Sequence, residues 1–160
     1  LIQRNFILTM PETRIIDGKQ IAADLRADTK KRVEEFQSKY NKVPTLAVVL
    51  VGEDPASQVY VNTKTKMAKE IGMNVEDHFL ENTVSEKELL SVVEQLNIND
   101  NVNGILVQLP LPDHINENSI INSISPSKDV DGFSIPNVGL LSTSGKGLIP
   151  CTPLGCLLLL

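Results

Sequence analysis

Tyr60 and Lys64 stand four residues apart in a stretch with helical patterning, a spacing that brings a phenol ring and an amine onto one face within mutual reach. A lysine amine exchanges protons near neutral pH only where burial or another cation lowers its pKa by about three units from about 10.4. The plainer reading is a solvated lysine on a helix that also carries Lys66 and Lys69. Gln108 is a neutral amide interrupting an apolar run at the end of a predicted buried strand, where it offers donors and an acceptor to a ligand or a catalytic side chain. Its alternative is an amide satisfied by nearby loop backbone. In Lys128-Asp129-Val130-Asp131-Gly132, two carboxylates sit on a loop that Gly132 lets turn sharply. One of them suits paired N–H bonds from an amidine-like heterocycle, although Asp and Gly are also common in turns for local reasons.

Other chemistries find less support. Cys151 and Cys156 have the spacing of neither a redox pair nor a structural zinc site, and His78 and His114 are isolated, so no metal site is expected. Asp-Val-Asp lacks the later Glu of a calcium loop. No GxGxxG follows a strand, and Ser144-Gly145-Lys146-Gly147 lacks the spacing of a phosphate loop, so no nucleotide-binding residues are recognised in the chain.

The elements that must position these groups can be read from periodicity. Apolar Ile21, Ala22, Leu25, Val33 and Phe36 predict an amphipathic helix over Lys19–Tyr40. Pro44 then introduces residues 45–51, apolar on both faces as a strand covered on both sides must be. After Gly52-Glu53-Asp54-Pro55, Ser57 is the expected cap of a helix running to Ile71 and closed by Gly72. Residues 74–80 predict a weaker strand. Ser85 and Glu88 form a capping box before a third helix, and residues 104–109 predict a second strongly apolar strand ended by Pro110 and Pro112. A short helix is expected at 117–124, a helical turn at 137–141, and a new helix capped by Thr152 before Pro153. Alternating strands and helices imply an α/β fold: a mostly parallel sheet with right-handed crossovers and helices on both faces, a three-layer sandwich. Ligands gather beyond the carboxyl ends of such strands.

Length and composition fit one soluble domain, since 160 residues with 41% apolar content can bury one ordinary core. A net charge of −5 without a basic block argues against nucleic acid or an anionic membrane and leaves a small molecule as the expected partner. Residues 1–9 are too short to span a bilayer and lack a cleavage site, and Met10 is a candidate natural start. Three segments are expected: an N-terminal extension at 1–12, a catalytic domain at 13–150, and the beginning of a further helix at 151–160, which stops without a cap or charged last turn as a truncated chain would.

Six segments in order resemble the bifunctional methylenetetrahydrofolate dehydrogenase/methenyltetrahydrofolate cyclohydrolase family. They are Asp17-Gly18-Lys19, Val51-Gly52 with Ser57, Tyr60-Val61 with Lys64, Gly104 through Gln108-Leu109-Pro110-Leu111-Pro112, the Lys128–Gly132 run, and Pro150-Cys151-Thr152-Pro153 with Gly155. The resemblance implies that Lys64 is the catalytic lysine, assisting conversion of the methylene carbon to methenyl and the attack of water that yields 10-formyltetrahydrofolate. It implies that Tyr60 stacks on the folate, that Ser57 and Gln108 hold and tune the lysine, and that Asp131 accepts hydrogen bonds from the pterin. Val61, Asn62, Thr63, Val107 and Leu109 are the remaining residues expected along the folate. A following Rossmann-type domain that binds NADP, absent from these residues, a homodimer in the full-length form, and a cytoplasmic role in one-carbon metabolism and purine biosynthesis are implied likewise. The rival readings are the substrate domain of a shikimate dehydrogenase-like enzyme, which would not explain Val107–Pro112 and Lys128–Gly132 together, and a non-catalytic folate-binding fragment.

Overall fold

The computed structural model describes residues 15–160; the expected extension at 1–12 and Met10 lie outside them. Helix α1 spans Gly18–Tyr40, its first turn closed by Asp17, whose carboxylate accepts from the N–H groups of Lys19 and Gln20. Strand β1 (Thr45–Val51) leads into α2 (Pro55–Glu70), β2 (Asn74–Leu80), α3 (Glu86–Ile98) and β3 (Gly104–Val107). Three helices complete the chain: α4 (Glu117–Ser123), α5 (Ile135–Ser144) and α6 (Cys151–Leu159).

The three strands form one parallel sheet in the order β2-β1-β3. The first crossover moves the chain to one side of β1 and the second carries it back to the other. Two crossovers of one hand that travel in opposite directions must lie on opposite faces. The packing follows that rule. Ala47, Val49 and Val51 meet Leu89, Val93 and Leu96 of α3 and Ile120 of α4. The alternate residues Val48 and Leu50 meet Val61 of α2 and Leu106 of β3. β1 is therefore buried on both faces, which is why its sequence is apolar without alternation. The expected parallel sheet with helices on both faces is present.

Several boundaries differ from expectation. The cap of α2 is Asp54, not Ser57: its carboxylate accepts from the Ser57 N–H at 2.7 Å, and Pro55 fills the first helical position, where no donor is needed. Ser57 lies within the first turn and is buried. β3 ends at Val107, two residues early, although the Gln108 N–H still donates to Val49 O at 2.9 Å; beyond it Pro110 has no N–H with which to extend the ladder. The expected turn at 137–141 is a ten-residue helix, begun by Ser134 with Pro136 in its first turn. Helix α6 starts after Pro150, which places Thr152 inside the helix instead of at its cap.

Candidate active site

α2 lies over β1 with one flank toward β3, and that flank carries Tyr60 and Lys64. Lys64 Nζ donates to Gln108 Oε1 at 3.2 Å, while Gln108 Nε2 donates to Leu109 O at 2.6 Å. An ammonium only donates and a carbonyl only accepts, so these two neighbours together fix which end of the amide faces the lysine. Gln108 thus holds the amine without presenting it a formal charge. Tyr60, 63% exposed, stands one turn earlier with its ring free to meet a ligand.

The third wall follows β3. Ile105 N donates to Lys128 O at 2.7 Å, and a single bridge joins Ile105 to Asp129, so residues 128–131 run beside the edge strand. The two carboxylates of this run have different tasks. Asp129 is buried and accepts from Gly132 N (3.0 Å), Ser134 N (2.9 Å) and Asn137 Nδ2 (3.1 Å). Burial pushes its carboxyl upward, and these hydrogen bonds, Ser134 first, outweigh burial and hold it below the ordinary carboxylate range. Gly132 completes the turn at φ +67, with its α-carbon so near Leu148 O that an added Cβ would lie 2.5 Å from it. Asp131 instead faces the cavity. Burial pushes its carboxyl up, the Lys64 charge pulls it partly back, and Asp129 adds to the rise.

Tyr60, Lys64, Gln108 and Asp131 share a cavity of about 790 Å³, floored by Leu46, Leu106 and Val130 and closed by Phe133 and the start of α6, Pro150 through Pro153. That volume suits a flat heterocycle with a substituent. An amide, a cation, a carboxylate and an aromatic ring converge on one apolar recess, an arrangement able to orient a planar polar ring and move a proton at its edge.

Other residues expected here are elsewhere. Val61 is 1% exposed and packs into the core beneath α2, because one helical step past Tyr60 turns the side chain inward. Asn62 lines a separate cavity of about 280 Å³ on the other flank of α2, with Gln58 and Phe79. Thr63 is exposed and its hydroxyl donates to Val59 O at 2.8 Å. Val107 and Leu109 turn to the opposite face of the sheet, against the α3 side of the core, where they line a narrow recess that Asp131 and Phe133 also border. Strand alternation dictates this: if Gln108 faces the cavity, its partner on that face is Leu106, a residue the period of two identifies and the sequence reading passed over. Ser57 faces Asp54, whose carboxyl its N–H and then its hydroxyl hold below the usual range; among the described residues it makes no hydrogen bond to Lys64. Val130 and Phe133 were also missed, although they lie within two residues of Asp131 in sequence.

The family model described as "Tetrahydrofolate dehydrogenase/cyclohydrolase, catalytic domain" matches residues 16–131. Bifunctional protein FolD 2 of Roseobacter denitrificans is 58% identical over 146 residues, covering 91% of this chain and 49% of the relative. The crystal structure of the bifunctional FolD methylenetetrahydrofolate dehydrogenase/cyclohydrolase of Campylobacter jejuni superposes with a TM-score of 0.88 at 44% identity, covering 91% of this chain and 52% of that one. The FolD enzyme of Trypanosoma brucei, solved with NADP cofactor and an inhibitor, superposes with a TM-score of 0.83 at 32% identity over 89% of this chain and 49% of its own. The chain spans about half the length of the relatives it matches. The match covers every segment that forms the Lys64 cavity up to Asp131, and the resemblance read from the sequence is borne out: the chain belongs to the tetrahydrofolate dehydrogenase/cyclohydrolase family, within its catalytic domain.

Proposed function

We propose that this chain is the folate-binding, catalytic half of a bifunctional methylenetetrahydrofolate dehydrogenase/cyclohydrolase, with the catalytic domain at residues 13–150 and residues 151–160 opening the helix toward an NAD(P)-binding domain. The observation that carries the reading is the contact of Lys64 Nζ with Gln108 Oε1 inside a cavity that Tyr60 and Asp131 also line. In the hydrolytic step, water adds to the cationic carbon between N5 and N10 of 5,10-methenyltetrahydrofolate. Both protons of the added water leave its oxygen, one released to solvent and the other ending on N5, as the bond from carbon to N5 breaks and the carbon–oxygen double bond forms, leaving 10-formyltetrahydrofolate. Lys64 stands where it can relay these protons, and Gln108 orients it. A neutral amide suits that task, because a permanent anion as the lysine's partner would favour the charged amine. Asp131 accepts N–H bonds from the pterin, and Tyr60 stacks on the adjoining ring.

NADP, present in the trypanosomal relative, supplies hydride acceptance when bound. The described residues do not fit its pyrophosphate. At the turn from β1 to α2, Glu53 and Asp54 are carboxylates and Asp54 already occupies the first helical donors. At the turn from β2 to α3, Ser85 and Glu88 fill the helix end in the same way. The reading extends to a cytoplasmic homodimer serving one-carbon metabolism and purine biosynthesis; among the described residues no helix is long and apolar enough to cross a membrane.

The test is hydrolysis of 5,10-methenyltetrahydrofolate by the chain at high enzyme concentration, followed by loss of the cation's absorbance. Lys64→Met should reduce the rate by about 10²- to 10⁴-fold, the usual worth of a positioned acid or base, while tetrahydrofolate binds within a few-fold of the unsubstituted chain. An undiminished rate in Lys64→Met would remove the lysine from the chemistry.

A further inference from the structure

We propose that Lys128 is a positioning residue for the candidate site: its ammonium pins the Asp129–Asp131 run to the end of α3 and so sets the reach of Asp131 into the Lys64 cavity. The proposal rests on the folate reading for its ligand and on geometry for everything else. Lys128 Nζ donates to Asn97 O at 2.8 Å, to Asn99 O at 2.8 Å and to Leu96 O at 3.1 Å. An ammonium has three hydrogens: two meet the Leu96 and Asn97 carbonyls, which the last turn of the helix leaves without helical partners, and the third meets the cap carbonyl of Asn99, which also accepts from Val102 N at 3.0 Å. The negative end of the α3 dipole adds to the attraction.

Lys128 is thus fastened at both ends. Its side chain holds α3, and its carbonyl accepts from Ile105 N of β3 at 2.7 Å. Asn97 stitches the same corner, donating to Ser123 O at 2.7 Å and accepting from Ser125 N at 2.8 Å. Three residues beyond Lys128, Asp131 meets the cavity; between them Asp129 N donates to Ser125 O at 3.0 Å and the Asp129 carboxylate accepts from Gly132, Ser134 and Asn137, whereas the Lys128 side chain ties the run to α3. An edge strand gives register on one side alone, so the ammonium supplies the second constraint.

Two measurements on the 160-residue chain test this. In the first, the Asp131 carboxyl is titrated by carbon NMR in the unsubstituted chain and in Lys128→Met. Loss of the positive charge by itself would raise the Asp131 pKa, whereas release of the run into solvent would lower it toward the ordinary carboxylate value. The proposal expects a fall; an unchanged or higher value overturns it. Lys128→Arg keeps the charge but not the three-carbonyl fit, and should shift the titration in the same direction by less, so the sign remains readable should Lys128→Met fail to fold. In the second, tetrahydrofolate is titrated into Lys128→Met, Asp131→Asn and the double variant. Lys128→Met should weaken binding about tenfold alone and less than about twofold on top of Asp131→Asn, since the two act through one group. Full additivity would mean that Lys128 serves only general stability and would overturn the proposal. Failure of the unsubstituted chain to bind tetrahydrofolate would sink the folate reading instead, while the titration would still decide the role of Lys128.

Discussion

Two carboxylates two residues apart respond to acid in opposite senses, because Asp129 is fully hydrogen-bonded and Asp131 is buried with less help. The folded pKa of Asp129 is depressed, so its contribution to stability is present above the unfolded value near 3.9 and is lost as pH falls through the folded one. The folded pKa of Asp131 is raised, so its contribution is fully present below the unfolded value and is lost as pH rises through the folded one. Asp129→Asn should therefore destabilise the chain at pH 7 by about 1–3 kcal/mol, since an amide turned toward the Ser134 and Gly132 N–H groups leaves buried donors unpaired. Asp131→Asn should raise the melting temperature at pH 7. Both differences should shrink toward pH 3, and thermal melts of the two variants at the two pH values check them. Equal and like-signed effects would show that the pair had been assigned the wrong way round. Residue types and spacing offered both carboxylates as candidates without separating them, and only the family resemblance singled out Asp131, because the difference depends on backbone N–H groups brought round by Gly132 and on an amide eight residues further along.

The elements were more legible than their ends. The continuous apolar run of β1 announced a strand covered on both faces, and the Ser85–Glu88 box marked the start of α3. Ser57 misled because its type suits a cap, whereas Asp54, with Pro55 after it, caps the helix three residues sooner by accepting from the Ser57 N–H. Side-chain direction within an element was readable but under-used: periods of 3.6 and 2 place Val61 and Val107 away from a site that holds Tyr60, Lys64 and Gln108. The packing of β3 against the Asp131 run is hidden from any such pattern. Gly104 there sits so close that a Cβ would lie 2.5 Å from Val130 Cγ1 and 3.5 Å from Leu46 Cδ1. Valine is stiff at its first torsion and has little room to yield. Gly104→Ala should cost about 1–3 kcal/mol by overpacking, and Val130→Ala in the same chain should recover part of that loss. A denaturant series on the two single variants and the double variant measures the coupling; purely additive losses would show that the close approach is not what selects glycine.

At the scale of the molecule, the parallel sheet and its two covered faces followed from the alternation of strands and helices, while the site depended on long-range neighbours. Lys64 and Gln108 are 44 residues apart and became one group only when β3 took its place beside β1. Family resemblance placed them together before periodicity could. The same architecture separates the two ligands of the proposed reaction. Folate chemistry gathers between α2, β3 and the Asp131 run, whereas the strand-to-helix turns at Asp54 and Ser85 have their helix donors occupied by side chains and carry negative charge. A ligand that binds only the folded state raises the melting temperature by mass action, by about 2.7 kcal/mol of added stability at a hundredfold excess over its dissociation constant. Tetrahydrofolate should therefore shift the melt of this chain upward, and Gln108→Ala with Tyr60→Ala should reduce the shift. NADP at millimolar concentration should add nothing, alone or with the folate. A shift produced by NADP alone would reveal a dinucleotide site among these residues and would contradict the division of labour between this domain and the remainder of the full-length relatives.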